Sequence, residues 1–306
     1  MPNFTPTTNA NAIPTVIAQE VIRLLPANLG LARFVSKDTD WTGQEFATYG
    51  ETLQIDKPGA LVAKKKTPGT QIVTQSPSDD KVSVTLNNHA YISILQEDIT
   101  KLLQKPDMQQ AYAERMSIVL AEQIETDGFL LHPSITNTVT FSPVSSEAEI
   151  DAAYRSLRSK FARLKVPQAE QKAAFLDTSV VDKLLSVAKY TSTDYVNAKG
   201  IIEGAVNRIH GINNVESQLI QTSGSPVAYH NLALTKWGIV LVSRPMPLDG
   251  NGRGARQNVV IDPGTGLAFR MTESYSHGDL GVQFTLDCLY GWAIADANQV
   301  IEVESF

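Results

Sequence analysis

Residues 107–131 read DMQQAYAERMSIVLAEQIETDGFLL. Met108, Ala111, Tyr112, Met116, Val119, Leu120 and Ile124 recur at three- and four-residue steps, which predicts one long helix with a single apolar stripe. Glu114, Arg115, Glu122, Gln123 and Glu125 lie mostly off that stripe. Pro106 restricts the residue before it, Asp107 can cap, and Gln110 stands where a capping box wants an amide. Gly128 marks the end and Pro133 bars continuation. At 1.5 Å per residue such a helix spans about 35 Å. Glu114, Arg115 and Glu122 mark its polar side.

Upstream, residues 52–95 read TLQIDKPGALVAKKKTPGTQIVTQSPSDDKVSVTLNNHAYISIL. Five short β-like runs are expected, at Thr52–Asp56, Ala60–Lys64, Gln71–Gln75, Lys81–Leu86 and Ala90–Leu95. Pro58-Gly59, Pro68-Gly69 and Ser76-Pro77-Ser78-Asp79 separate them. An isolated hairpin is marginal in water, so this one must fold back on its own domain or lean on another subunit. Lys64, Lys65 and Lys66 form a basic tip, which either protects an edge or meets an acidic neighbour. Further upstream, residues 1–12 read as an extended polar tail, and Ile13–Leu25 as a short helix.

Downstream, Ser145–Val166 is expected as a second helix with Ile150, Ala153, Tyr154, Leu157, Phe161 and Leu164 inward. Ser146 and Glu149 make a capping box, and the outer face is basic. Residues 173–250 read as an α/β unit: strand Ala173–Leu176, helices Ser179–Ala188 and Lys199–Val206, a strand near 214–221, and Leu232–Thr235 and Ile239–Ser243 around Trp237. After a loop at Asp249–Ala255, Leu267–Tyr275 and Val282–Ala295 are expected to pair as a hairpin, and Val300–Val303 closes the chain.

The 306 residues are 42% hydrophobic and 19% charged, with a net charge of −6, so a folded core is expected and bulk charge offers no reason for tight phosphate-backbone binding. Cys288 is the only cysteine, which excludes an intrachain disulfide; it reads as a small buried hydrophobe. The opening MPNFTPTTNANAIPT has neither the basic nor the apolar region of a signal peptide, and no run of about 18 apolar residues could span a membrane.

Catalytic signatures are missing. No histidine stands at metal-ligand spacing to another His or Cys, and HExxH, GxSxG and GxxxxGK[ST] do not occur. Gly250–Gly254 reads as a linker. His277, beside Asp279 in a turn, reads as a solvated histidine before a general base. No cofactor or metal is expected.

Three stretches carry a family resemblance: GETLQIDKPGALVAKKKTPGTQIVTQSPSDDKVSVTLNNHAYISI (50–94), YHNLALTKWGIVLVSRPMPL (229–248) and TGLAFRMTESYSHGDLGVQFTLDCLYGWAIADANQVIEV (265–303). In their order and surroundings they resemble the major capsid (coat) protein of tailed bacteriophages, the Hong Kong 97 fold, and within it the podovirus coat-protein-5 subgroup. That resemblance implies an α+β fold: an N-terminal arm (1–42), an extended hairpin or E-loop with its return strand (43–96), a P-domain with the spine helix (97–172), an α/β A-domain (173–256), and P-domain return strands with the P-loop (257–306). It implies inter-subunit contacts at Lys64, Lys65 and Lys66, at Glu114 and Glu122, and at Tyr275, His277 and Asp279 in the P-loop.

The resemblance further implies self-assembly as pentamers and hexamers into an icosahedral head around double-stranded DNA held without sequence-specific binding. A portal protein, possible cement or decoration proteins and, since only a short polar stretch precedes Ile13, a separate scaffolding protein are implied partners. The setting is the virion, after assembly in the host cytoplasm. Some relatives crosslink an E-loop lysine to a P-domain asparagine, here Asn298; the subgroup lacks that reaction, and none is expected. An encapsulin-type compartment is the nearest alternative, and a cytosolic α/β enzyme a distant one.

Overall fold

In the computed structural model the described residues are 29–37, 40, 52–57, 59, 61–76, 80–98, 108–141, 147–187, 208–248 and 255–306. The side chains of 108–111, 113, 114 and 147 lie outside that set. The expectations for 1–28, Pro106–Asp107, the cap at Ser146, the helix at Lys199–Val206 and the loop at 249–254 fall outside it as well.

The long helix forms where the periodicity put it, over Met108–Phe129; it follows a short helix α1 (Leu31–Phe34) and is numbered α2. Its buried face differs from the expected stripe. Met116, Leu120 and Ile124 are buried as read, but Val119 is 52% exposed and Tyr112 is exposed too. Ser117, Ala121, Glu125 and Phe129 are buried in their place. The inward arc is turned toward Ala121 and Glu125: Ser117 and Ala121 are short enough for close approach, and the Glu125 carboxylate bonds to the backbone of α1. Gly128 marks the closest approach: a Cβ would stand 2.8 Å from Leu31 Cδ2 and 3.0 Å from the Trp292 ring.

That sheet has the order β1 (Ser36–Lys37), β11 (Ile239–Arg244), β14 (Gly281–Ile294), β13 (Ala268–Ser276), β12 (Ala255–Ile261), with β4 (Asn88–Glu97) also paired to β14. β14 is its organising strand. Its first part pairs antiparallel with β13 on one side and β4 on the other, and its end pairs with β11. The expected hairpin of Leu267–Tyr275 with Val282–Ala295 is thus present. α2 packs on β14 and β4, and Tyr290 Oη donates to Asp127 Oδ2 at 2.6 Å.

A second sheet runs β5 (Thr138–Phe141), β15 (Val300–Ser305), β10 (Ala228–Thr235), β6 (Lys172–Leu176), β8 (Ile212–Glu216), β7 (Arg208–Ile209), with β9 (Thr222–Ser223) on β10. It is apolar on both faces. Phe175, Leu232 and Leu234 face the core under α2, while Ala174, Leu176 and Ala233 face α3 (Glu147–Arg163) and α4 (Thr178–Leu185). Burial on both sides explains the unbroken apolar runs of β6 and β10. On α3, Ile150, Tyr154, Leu157 and Phe161 are buried as the periodicity requires.

Two pairings depart from expectation. The sequence leaves a helix-turn-strand or a strand pair open around Trp237; instead β10 and β11 are consecutive strands in different sheets, and the segment between them is a crossing between layers. Gly238 permits the crossing, since a Cβ there would stand 2.4 Å from Val300 and 2.8 Å from the Gln299 carbonyl. β15, read with the returning strands, pairs instead with β10 and, in parallel, with β5.

The E-loop divides into an anchored base and a free tip. β2 (Thr52–Lys57) pairs antiparallel with β3 (Asp80–Thr85), and Leu53, Ile55 and Val84 are buried against Val240 and Val242 of the first sheet. The strands expected at Ala60–Lys64 and Gln71–Gln75 do not form over the described residues 61–76, which carry no ladder. Gln75 bridges this stretch, accepting from Val62 N at 3.1 Å and donating back to the Val62 carbonyl. At the end, Thr70 N donates to Thr67 O at 3.2 Å and Gly69 takes φ +85, a turn that Pro68-Gly69 suits.

Candidate functional site

The residues singled out in the sequence fall on three separate surfaces. Lys64, Lys65 and Lys66 are exposed on the E-loop tip and make no ion pair with another described residue. Around them stand apolar side chains bared to solvent: Leu61 at 70%, Ile72 at 75%, with Val62 and Val73 similar. Four large aliphatic groups on one unladdered loop form a surface that water does not favour.

Glu122 is exposed on the outer face of α2, with Arg115 and Gln123. Beside that face, α2 and β4 border a cleft of about 490 Å³ lined by His89, Tyr91, Val119, Gln123, Asp127 and Tyr290. Tyr91 and Val119 are both exposed along it. Sequence periodicity read Val119 as core, and so missed this apolar rim.

Tyr275, His277 and Asp279 come together at the β13–β14 tip, and all three are exposed. Tyr275 Oη donates to Asp98 Oδ2 at 2.8 Å; this bond to a carboxylate, first among the causes, raises the phenol pKa. His277 packs edge-on against the Tyr275 ring, with centroids 5.2 Å apart. Asp279 accepts from Ser276 Oγ at 2.8 Å, so the turn carboxylate orders the loop, and no bond between it and His277 is present. Leu280 follows at φ +47, and its carbonyl accepts from Asp98 N at 3.0 Å.

Two buried groupings were invisible to sequence reasoning. Asp287 takes both Arg270 Nε and Nη2, at 3.0 and 2.7 Å, and contacts His89 Nε2 at 2.9 Å. His132, His230 and Glu302 form the other. The two rings stack at 4.0 Å, His230 Nδ1 lies 2.6 Å from Glu302 Oε1, and Ser223 Oγ lies 2.6 Å from His230 Nε2. Burial, and then the neighbouring His230, lower the His132 pKa. No spacing rule finds such a cluster, because the residues come from a turn after α2 and from strands β10 and β15. Cys288 is buried as expected, and burial pushes its thiol up to about 12, an inert group.

A subunit built on one long spine helix, with four large aliphatic side chains bared on its E-loop tip, fits one class: a shell-forming structural protein. The phage capsid protein family matches residues 31–240, and the chain belongs to that family. Solved structures agree on the fold. Similarity to a chain from Mycobacterium phage Che8 has a TM-score of 0.65 at 16% identity, covering 88% of each chain. The capsid of cyanophage P-SCSP1u gives 0.64 at 12% identity, covering 89% of this chain and 86% of that one. A virus-like particle from Pyrococcus furiosus gives 0.54 at 11% identity, covering 94% and 97%. None of the curated proteins compared matches the chain. The fold is therefore of the Hong Kong 97 type, and the protein is a phage major capsid protein, a structural component of the virion capsid.

Proposed function

We propose that this subunit assembles as pentamers and hexamers into the icosahedral head of a tailed phage, with the E-loop tip as its principal reaching contact. The observation that carries this reading is the division of the E-loop. Its base is buried through Leu53, Ile55 and Val84, while Leu61, Val62, Ile72 and Val73 stay in water. A loop anchored at one end and apolar at the other is built to lose its exposed surface on a second copy. The cleft beside Tyr91 and Val119, apolar along that rim and polar at Asn87, Asn88 and Asp127, offers a surface to receive it. Lys64, Lys65 and Lys66 would then meet acidic groups of the neighbour, Glu122 among them.

Tyr275, His277 and Asp279 form the second contact, where subunits of adjoining capsomers meet. The shell encloses double-stranded DNA without reading its sequence, in line with the net charge of −6. A separate scaffolding protein, a portal protein and a decoration protein complete the set of partners, and assembly takes place in the host cytoplasm.

The test is deletion of residues 61–76 followed by negative-stain electron microscopy. A soluble, folded subunit that forms no shells is expected; an unfolded subunit would assign the tip to the core. An encapsulin-like compartment is the second reading, favoured by the similarity to the Pyrococcus particle. Nucleic acid inside purified particles supports the phage head, and protein cargo the compartment.

A further inference from the structure

The cluster of His132, His230 and Glu302 lies apart from all three surfaces above. Its imidazole nitrogens and carboxylate oxygen fall within 4.8 Å of one another. We propose that it binds a divalent transition-metal cation, Zn2+ above all, through both imidazoles and the Glu302 carboxylate, with water as the fourth ligand.

Donor chemistry supports this first. Two imidazoles and one carboxylate form a ligand set that zinc accepts in tetrahedral geometry, with a vacant corner for water. Spacing supports it next. Bonds of about 2.0–2.2 Å in a tetrahedron put ligand atoms about 3.3 Å apart. His132 Nδ1 already stands 3.4 Å from Glu302 Oε1. The 2.6 Å contact of His230 Nδ1 with the same oxygen widens by less than about 1 Å on loading. His132, now stacked on His230 at 4.0 Å and 17° from parallel, turns out of the stack so that both in-plane lone pairs meet the cation.

Rigidity and outer support come from the fold. His230 and Glu302 project from paired strands, in a register set by Leu232 opposite Glu302 and His230 opposite Glu304. His132 opens the tight turn His132–Ser134 just beyond α2. Ser223 Oγ engages Nε2 of His230, which holds that ring with Nδ1 turned to the site, the part an outer-shell residue plays at metal centres. Charge completes the argument. Glu302 is largely buried, and its only ion-pair partners among the described residues are the two imidazoles. A bound cation supplies the positive charge that no lysine or arginine provides there. It would also pin the end of the spine helix to the second sheet.

The experiment uses the full-length subunit, stripped with a chelator and titrated with ZnCl2 by calorimetry, with Co2+ as a spectroscopic probe. One equivalent per chain, the intense visible bands of tetrahedral cobalt and a raised Tm are expected. Glu302→Gln and His132→Asn should each weaken binding more than about 100-fold, and Ser223→Ala about tenfold. His277→Asn, at an exposed loop, should leave binding unchanged. Circular dichroism in chelator shows whether each variant folds. Absence of saturable binding by the wild-type chain overturns the proposal. So does wild-type affinity in a folded Glu302→Gln or His132→Asn variant, which would put the metal elsewhere.

Discussion

Glu125, one turn from the end of the spine helix, accepts a hydrogen bond from the backbone N–H of Leu31 at 2.9 Å, across 94 residues of chain. Its other oxygen accepts from Ala32 N at 2.9 Å. One carboxylate thus satisfies the bare N–H groups that open α1, where a side-chain cap is otherwise missing. Burial opposes these donors and wins, raising the carboxyl pKa to about 7.

A pH dependence follows, with a sign opposite to ordinary acid unfolding. The folded chain holds the Glu125 proton more tightly than the unfolded chain, whose carboxyl titrates near its ordinary 4.5. Between about pH 4.5 and pH 7 the folded state therefore binds more protons, and this group's contribution to stability falls as pH rises, by a few kcal/mol at most. Above pH 7 the loss is complete. Denaturant midpoints for wild type and Glu125→Gln measure it: the wild type should gain on the variant as the pH drops from 8 to 5. A pH-independent difference would mean an unshifted carboxyl.

Gly291 should tolerate no side chain. A Cβ there would stand 2.3 Å from the Thr85 carbonyl oxygen, backbone that belongs to the E-loop base. Gly291→Ala is expected to cost about 1–3 kcal/mol through overpacking. Urea unfolding gives the figure, and proteolysis of the E-loop should accelerate in parallel if β3 is lifted from β14.

Asp287 and Arg270 make a buried two-point ion pair, so removing one partner strands the other. Asp287→Ala should destabilise by about 3–5 kcal/mol. Adding Arg270→Met should restore part of that loss, because the unpaired cation is gone. A double-mutant cycle reads the coupling; strictly additive effects would dismiss the pair as a structural unit.

Ile72→Ser with Val73→Ser should leave the isolated subunit's stability within about 0.5 kcal/mol, since both side chains are already in water. Shell yield by sedimentation should nevertheless collapse. Wild-type yield would remove the apolar tip from the assembly contacts.

Local pattern carried far in this chain. The 3.6-residue recurrence gave α2 and α3, Pro68-Gly69 gave the E-loop turn, and the β13–β14 hairpin followed from two alternating runs around a Gly-Asp turn. Pattern failed where apolar residues stay in water instead of joining the core. Leu61–Val62 and Ile72–Val73 look like strands to a propensity rule, yet no ladder forms in the subunit. Val119 fails for the same reason.

By itself, then, the sequence determined the element types, their order, the core side of α3 and, through resemblance, the family. Only the tertiary structure decided which strands share a sheet, why β10 and β11 part company at Gly238, and that Glu125 is buried. It alone brought His132, His230 and Glu302 together. The physical reason is range. Helix and turn formation are set by neighbours a few residues away, whereas pairing, burial of a polar group and ligand clusters depend on groups brought close only by the finished fold.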